Sequence, residues 1–474
     1  MAEALQIAVV GHTNAGKTSL LRTLTRQVAF GEVSERPGTT RHVEAIELRV
    51  DGRAAVRFFD TPGLEDAVTL LQHLQSLEGA TRPERVHRFL AGPEAQGSFE
   101  QEAKVLRKML EADAAFLVID TREAVLPKFR DEVELLNSCA TPVLPVLNFV
   151  RSDASREAQW REMLSAGGLH AVVRFDAAAP FTGAEQDLYH DLGALLPAQR
   201  QALRAVVAHL QREAQARRHA GCEVVAELLV DLAALRHTAD TAQFDDTVQR
   251  DKLVQAMHRE VNQRAQRAMD DLLSLYGFRE GDAAEAPLPQ VAGRWALDLF
   301  NPETLRDAGV RLGTGAAVGA AVGVVADLAL AGLSLGAGAA LGATIGGALA
   351  QGWGPFGRKL ANVVRGVHEL SVEDGVLALS AAWQLDTLLA LERRGHAAVQ
   401  PLAAGAAPDS PDAREGMAAL APIVAACAPA RSHPAWARLR HAGDSGRQQL
   451  VHDIAAQLEA LAQTRAPLQG GPRD

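Results

Sequence analysis

The chain has 474 residues, a length that fits roughly three structural units of about 150 residues each, and its 47% hydrophobic and 22% charged content excludes both wholesale disorder and a many-span membrane protein. Aromatics at only 4%, beside 40 glycines, favour closely packed helices over an all-β sandwich or barrel. A net charge of −10 gives no support to nonspecific binding along a phosphate backbone, leaving only a local basic patch open.

Met1 to Val10 carries an acid where a signal peptide has a basic region and runs straight into a strand pattern, so secretion by that route is not expected. Residues 1 to about 185 alternate short β-branched runs with helical stretches, which is how a parallel sheet wrapped by helices reads. Strands are expected at Gln6 to Val10, His42 to Val50, Ala54 to Asp60, Ala114 to Asp120, Pro142 to Asn148 and Ala171 to Asp176. Helices are expected after Lys17, Glu65, Lys104, Lys128 and Arg156, and near Ala184. Ser76 to Glu100, with Pro83, Gly92, Pro93 and Gly97, reads as a loop-rich insertion.

After Glu185 the strand signal vanishes, and apolar residues recur at helical spacing, as in Leu203, Val206, Val207 and Leu210 and again from Leu253 to Leu272. A break rich in Gly, Ala and Pro at Glu280 to Gln290 divides a helical region, 186–290, from a helical C-terminal region, 291–474. Within the latter, residues 309–350 form a Gly/Ala/Val/Leu segment in which Gly315, Gly319 and Gly323, then Gly338, Gly342 and Gly346, repeat every fourth residue. On helices such repeats leave grooves without side chains, so a close-packed helical hairpin is expected. Cys139, Cys222 and Cys427 are far apart and lack metal-ligand spacing, which reads as free thiols in a reducing compartment and makes the cytoplasm the expected location.

The strongest chemical signal is Gly11-His12-Thr13-Asn14-Ala15-Gly16-Lys17-Thr18, matching G-x-x-x-x-G-K-[ST] between a strand and a helix. A polyphosphate needs many donors in a small arc. Glycines let the backbone aim successive N–H groups at it, and the following helix, with Ser19 in its first turn, adds its positive end. Lys17 is expected on the outer phosphates and the Thr18 hydroxyl on Mg²⁺. Asp60-Thr61-Pro62-Gly63 closes the third strand, where Asp60 would hold Mg²⁺ through water and the Gly63 N–H would sense the terminal phosphate. Between them, Pro37-Gly38-Thr39-Thr40-Arg41 offers Thr40 as a further metal ligand and catalytic-loop residue, or is simply a turn before the second strand.

The strings GHTNAGKT, PGTTRH and DTPG resemble the nucleotide boxes of the TrmE, Era and EngA class of bacterial GTPases, over about the first 180 residues. The whole layout is similar to bacterial proteins in which a GTPase is fused to a C-terminal domain of unknown function. The resemblance implies a P-loop NTPase G domain of α/β class over 1–185, with GTP and Mg²⁺ as ligands and hydrolysis to GDP as the activity. It also implies that Asn14 helps hold a K⁺ ion supplying positive charge at the transition state; the alternative is that Asn14 only shapes the loop. The water-orienting Gln of Ras-like proteins is Leu64 here, so catalysis must draw on Lys17, Asn14 and Thr40, with Glu65 or Asp66 as further candidates for placing water.

The base-recognition box of that class, Asn-Lys-x-Asp, corresponds to Asn148-Phe149-Val150-Arg151, followed by Ser152 and Asp153. Asn148 is kept, a flat ring replaces the lysine, and Arg151 has no acceptor for the purine's N–H groups. Guanine preference is therefore implied by the resemblance rather than by these residues. Asp176-Ala177-Ala178 occupies the place of the next box.

Two questions stay open on the sequence alone. The uncharged run ending at Arg358 is long enough to cross a hydrocarbon layer of about 20 residues, yet Ala and Gly are weakly hydrophobic and Asp327 is costly in lipid. The hairpin either packs within the protein or enters the inner membrane. Arg212, Arg217, Arg218 and His219 form a basic cluster, either a solvated helix face or a surface for lipid or RNA; RNA is disfavoured by the acidic balance. No H-E-x-x-H or G-x-S-x-G string supports a metalloprotease or serine hydrolase. The expected protein is a GTPase whose nucleotide state switches a helical effector region, with a membrane-acting GTPase and a non-hydrolysing RNA- or ribosome-binding module as alternatives.

Overall fold

Runs of apolar residues buried on both faces build the middle of the first sheet, as parallel strands covered by helices require. In the computed structural model, which describes residues 4–26, 43–177, 180, 183–278, 290–291, 294–295, 324–326, 367–394, 418–437 and 444–466, the strands are β1 (Leu5–Val10), β2 (Glu44–Val50), β3 (Arg53–Asp60), β4 (Ala114–Asp120), β5 (Val143–Asn148) and β6 (Val173–Arg174). Their order is β2-β3-β1-β4-β5-β6, with β2 antiparallel to β3 and every other pairing parallel. Asp51 and Gly52, both at positive φ, make the two-residue turn that joins β2 to β3.

Side chains alternate between two cores. Ile7, Val9, Phe116 and Val118 enter one with α1 (Lys17–Thr25) and α7 (Ala184–Leu195), while Ala8, Val10, Leu117 and Ile119 enter the other. The second core takes α2 (Ala67–Ser76), α3 (Arg82–Ala91), α4 (Glu100–Glu111), α5 (Pro127–Asn137) and α6 (Glu157–Ala166). The segment expected to be loop-rich thus contains α3, a helix capped by the Thr81 hydroxyl and opened by Pro83, which is favoured in a first turn.

The remaining described elements are α8 (Arg200–Ala234), β7 (Arg236–Asp240), α9 (Thr241–Asp245), α10 (Thr247–Leu275), β8 (Gln290–Val291), β9 (Arg294–Trp295), β10 (Val324–Ala326), β11 (Val367–Val372), α11 (Asp374–Arg393), α12 (Ala421–Ala426) and α13 (Ser445–Arg465). Helix dominates, as expected, but strands are present: β10, β11 and β7 form an antiparallel sheet. β7 escapes sequence detection because Arg236-His237-Thr238-Ala239-Asp240 carries almost no apolar signal, and its partner β11 lies far along the chain. The hairpin expected at 309–350 lies outside the described residues except for Val324–Ala326, which are extended.

The chain divides into two compact units: Met1–Gln215 with Arg393–Gln400 and Pro467–Asp474, and Ala216–Glu392 with Pro401–Ala466. In the first, Leu203, Val206 and Leu210 of α8 join the core beneath α1 and α7. In the second, helices from both 186–290 and 291–474 share a single core. Gly221 of α8 lies so near α11 that a Cβ there would come within 2.6 Å of Leu388. Charge is buried in this second unit too. Arg218, only 1% exposed, pairs with Glu392 and donates to the Gln463 side chain at 2.9 Å and the Ala466 carbonyl at 2.8 Å, which removes it from the expected basic surface. Among the described residues, no helix is long and apolar enough to cross a membrane.

Candidate functional site

The carboxyl ends of β1, β3, β4 and β5 line up through the pairings Val9 with Asp60, Val10 with Leu117, and Asp120 with Asn148. The chain leaves β1 with β3 on one side and β4 on the other, the topological switch point at which open α/β sheets bind ligands. The loop Gly11 to Gly16 sits there and delivers the chain into α1.

Local backbone needs explain its glycines. Gly11 has φ +141, and a Cβ would lie 2.3 Å from the Val118 carbonyl oxygen. Gly16 caps α1 in the left-handed region at φ +93, and a Cβ would strike the Asn148 side chain at 2.3 Å. Asn14, exposed, takes φ +66, a conformation that asparagine tolerates better than most non-glycine residues. Lys17 folds back over the loop, donating to the carbonyls of Gly11 at 3.1 Å and His12 at 3.0 Å. Burial pulls its pKa down to about 8, against the opposing pull of the Asp60 and Glu132 carboxylates.

Thr18 donates to Asp60 Oδ2 at 2.5 Å, bringing the two expected metal ligands together. The other oxygen, Asp60 Oδ1, is buried and has no hydrogen-bond partner among the described residues. Desolvation raises the Asp60 pKa, partly offset by the Thr18 hydroxyl and the Lys17 charge. A buried carboxylate oxygen without a donor, next to a hydroxyl, is a donor set that fits a hard divalent cation such as Mg²⁺. Gly63 is packed against the loop, since a Cβ there would come within 2.3 Å of Thr13 Oγ1 and 2.8 Å of the Thr13 backbone nitrogen. Thr61 anchors the same turn by donating to the Val9 carbonyl at 2.7 Å.

Asn148, buried, ties three loops together: its Nδ2 donates to the Ala15 carbonyl at 3.0 Å, and its Oδ1 accepts from the Phe149 and Ala177 backbone N–H groups, each at 3.0 Å. It acts as a brace beneath the site. Phe149 holds the left-handed φ of +59, a strained choice for an aromatic residue, and the Arg122 guanidinium stacks 3.7 Å from its ring centre while pairing with Asp120. Asp153 is exposed.

Several residues stand apart from the expected cluster. His12 contributes its backbone, while its ring turns to Glu132 and Lys128, each at 3.0 Å. Leu64 is fully buried, and Asp66 is committed to capping α2 through the Thr69 N–H. Ser19 lies in the first turn of α1. Thr40 and the 37–41 loop lie outside the described residues. Sequence reading missed Glu102, whose Oε1 accepts from the N–H groups of Glu65 at 3.1 Å and Asp66 at 2.9 Å and so secures the segment after Gly63. An acid in the first turn of an amphipathic helix gives no cue that it points inward. Arg122, in the turn after β4, and Glu132, in the middle of α5, carry no local motif that marks them either.

Residues 6–149 match the family described as 50S ribosome-binding GTPase. A tRNA modification GTPase MnmE from Cereibacter sphaeroides is 40% identical over 80 residues, 17% of this chain and 18% of that protein. A GTPase Der from Xanthomonas oryzae is 35% identical over 123 residues, 24% of this chain and 25% of that protein. The chain thus spans under a third of the length of these relatives. A structure of Era from Aquifex aeolicus bound to GDP.AlF4- aligns with TM-score 0.28 and 21% identity over 37% of this chain and 52% of that one. The expected resemblance to bacterial GTPases agrees with the family over residues 6–149 and with the names of the two sequence relatives, and the first sheet has the six-stranded, mostly parallel arrangement of a P-loop G domain. A second model matches residues 161–458, more than half of the chain, and the protein belongs to that family, described as Domain of unknown function (DUF3482).

Proposed function

We propose that the chain binds GTP with Mg²⁺ at the Gly11 to Thr18 loop and hydrolyses it to GDP and phosphate. The observation that carries this reading is the convergence of the buried Lys17 ammonium, the Thr18 hydroxyl and the partnerless Asp60 Oδ1 at the start of α1. Thr18 and Asp60 would hold Mg²⁺, with Thr40 as the further ligand expected from the sequence. Bound there, Mg²⁺ supplies positive charge that offsets the charge spread over the transferring phosphoryl group.

The chain's own groups do the rest. The N–H groups from Thr13 to Ser19 and the amino end of α1 bind the phosphates, and Lys17, now held by two carbonyls, turns to the outer ones. That exchange is favoured because a phosphate is a better partner for an ammonium than a neutral carbonyl. The Gly63 N–H reads the terminal phosphate from the turn braced by Thr61 and Glu102. Asn14 would help hold K⁺, and a hydrolysis rate that is the same in potassium and sodium would exclude that role. Switching of the helical region by nucleotide state belongs to the same reading, with the cytoplasm as the location.

A titration of GTP, ATP, GDP and ADP in Mg²⁺ buffer tests the proposal. GTP and GDP should bind at least about tenfold more tightly than their adenine counterparts if guanine is selected. Failure of every nucleoside triphosphate to bind would overturn the reading, and equal binding of GTP and ATP would confine it to phosphate recognition. Arg151 and the exposed Asp153 make this titration the decisive one.

A further inference from the structure

We propose that the helical unit holds a divalent transition-metal ion of the zinc class on His219, Glu223 and His452. His219 and Glu223 stand one turn apart on α8, so they share a face, and α13 brings His452 to it. The three donor atoms lie within 4.8 Å of one another. His219 Nε2 and the Glu223 carboxylate are 3.5 Å apart. Two ligands about 2.1 Å from a tetrahedral ion are separated by about 3.4 Å, so this pair already has the required spacing.

A second shell is in place as well. Glu459, also on α13, takes the other ring nitrogen of His219, Nδ1, at 3.0 Å. That contact engages Nδ1 and leaves Nε2 facing Glu223, so a metal ion that displaces the Nε2 proton would complete the carboxylate–histidine–metal arrangement that orients imidazole ligands. The His452 ring stands edge-on to that of His219 with centres 6.2 Å apart. Two imidazoles and one carboxylate suit zinc and its neighbours better than Mg²⁺ or Ca²⁺, which prefer all-oxygen shells. Three protein ligands leave one position for water. The site is separate in chemistry from the oxygen donors at Thr18 and Asp60 and does not depend on nucleotide binding. It is invisible to spacing rules because two ligands come from α8 and the third from α13, far along the chain.

The test is a titration of the full-length, chelator-stripped, nucleotide-free chain with Zn²⁺ in excess Mg²⁺, with Co²⁺ absorption as a spectroscopic check for imidazole ligation. Wild type should take up one equivalent of Zn²⁺ and give a tetrahedral Co²⁺ spectrum. His452→Ala, at an exposed position where folding is not at stake, should lose the spectrum and bind Zn²⁺ at least about a hundredfold more weakly. Glu459→Gln should keep the stoichiometry and lose about 10–100-fold in affinity, as expected for a group that orients a ligand. Equal Zn²⁺ affinity and stoichiometry in wild type and His452→Ala would overturn the proposal and reduce the cluster to ion pairs between α8 and α13.

Discussion

The two units place their polar groups differently along the chain. Around the first sheet, the candidate site is built on a short run of backbone, with glycines at positive φ, amides at the start of α1 and carbonyls that hold Lys17, to which the buried Asp60 and Asn148 side chains are added. In the helical unit, polar side chains are sunk into the core. Arg218 meets Glu392, Arg447 meets Asp231 at 2.8 Å, and Gln384 donates to the Ala265 carbonyl at 2.9 Å. A backbone site requires particular residues at consecutive positions, so it leaves a short readable string. A network of buried side chains joins residues scattered along the chain, and its specificity lies in pairings that no local string displays.

Breaking the buried pair is the severest test of that contrast. Arg218→Ala leaves the Glu392 carboxylate without its partner in a low-dielectric core, a loss of about 3–5 kcal/mol of stability by denaturant titration. The thiols report where the loss falls. Burial pushes Cys139, Cys222 and Cys427 each up to about 12, so all three should react slowly with a thiol reagent in the native wild type. In Arg218→Ala, Cys222 and Cys427 of the helical core should label early, with Cys139 of the first unit keeping its wild-type rate. Simultaneous labelling of all three would mean that the units unfold as one.

Next in size is Lys17→Ala. Loss of this ammonium should lower GTP turnover by about a hundred- to a thousandfold, the range for removing one preorganised donor from a charge-stabilising site. Thermal stability should change little, because the burial cost of the ammonium is removed together with its attraction to the buried Asp60 and Glu132 carboxylates. Steady-state phosphate release and a melting curve separate the two effects. A large drop in melting temperature would show that Lys17 is structural, as Arg218 is, and would erase the distinction between the units.

The same contrast explains what could be read in advance. The central parallel strands were legible because they are apolar throughout, β2 and β3 because apolar residues alternate with polar ones, and the loop from Gly11 to Thr18 and the turn at Asp60 to Gly63 because glycine is needed where a Cβ would strike Val118, Asn148 or Thr13. The insertion at Ser76 to Glu100 hid α3, since Gly and Pro at a helix's boundaries look the same as Gly and Pro in a loop. Arg212, Arg217, Arg218 and His219 looked like one basic patch, although Arg218 turns inward to Glu392 and His219 meets Glu459. Residue type alone does not report direction. β7 and β11 went unseen because their stability comes from pairing across a long stretch of chain.

The smallest expected stability change, Phe149→Asn, probes a side chain at the edge of the candidate site in the first unit. Asparagine accepts a left-handed backbone, so relieving φ +59 at this position should return about 1 kcal/mol. Losing the stack with the largely solvated Arg122 should cost about 0.5–1 kcal/mol, leaving the melting temperature nearly unchanged. Nucleotide affinity responds differently if the second face of the ring covers a base. Base–aromatic stacking contributes about 1–3 kcal/mol and is indifferent to which purine is stacked, so GTP and ATP should weaken together, by about fivefold or more. Weakening of GTP alone would make Phe149 part of guanine selection, and no weakening of either would mean that the ring supports Arg122 and Asp120 rather than a base. The outcome decides whether a box that has lost its lysine keeps a base-binding surface or only the brace provided by Asn148.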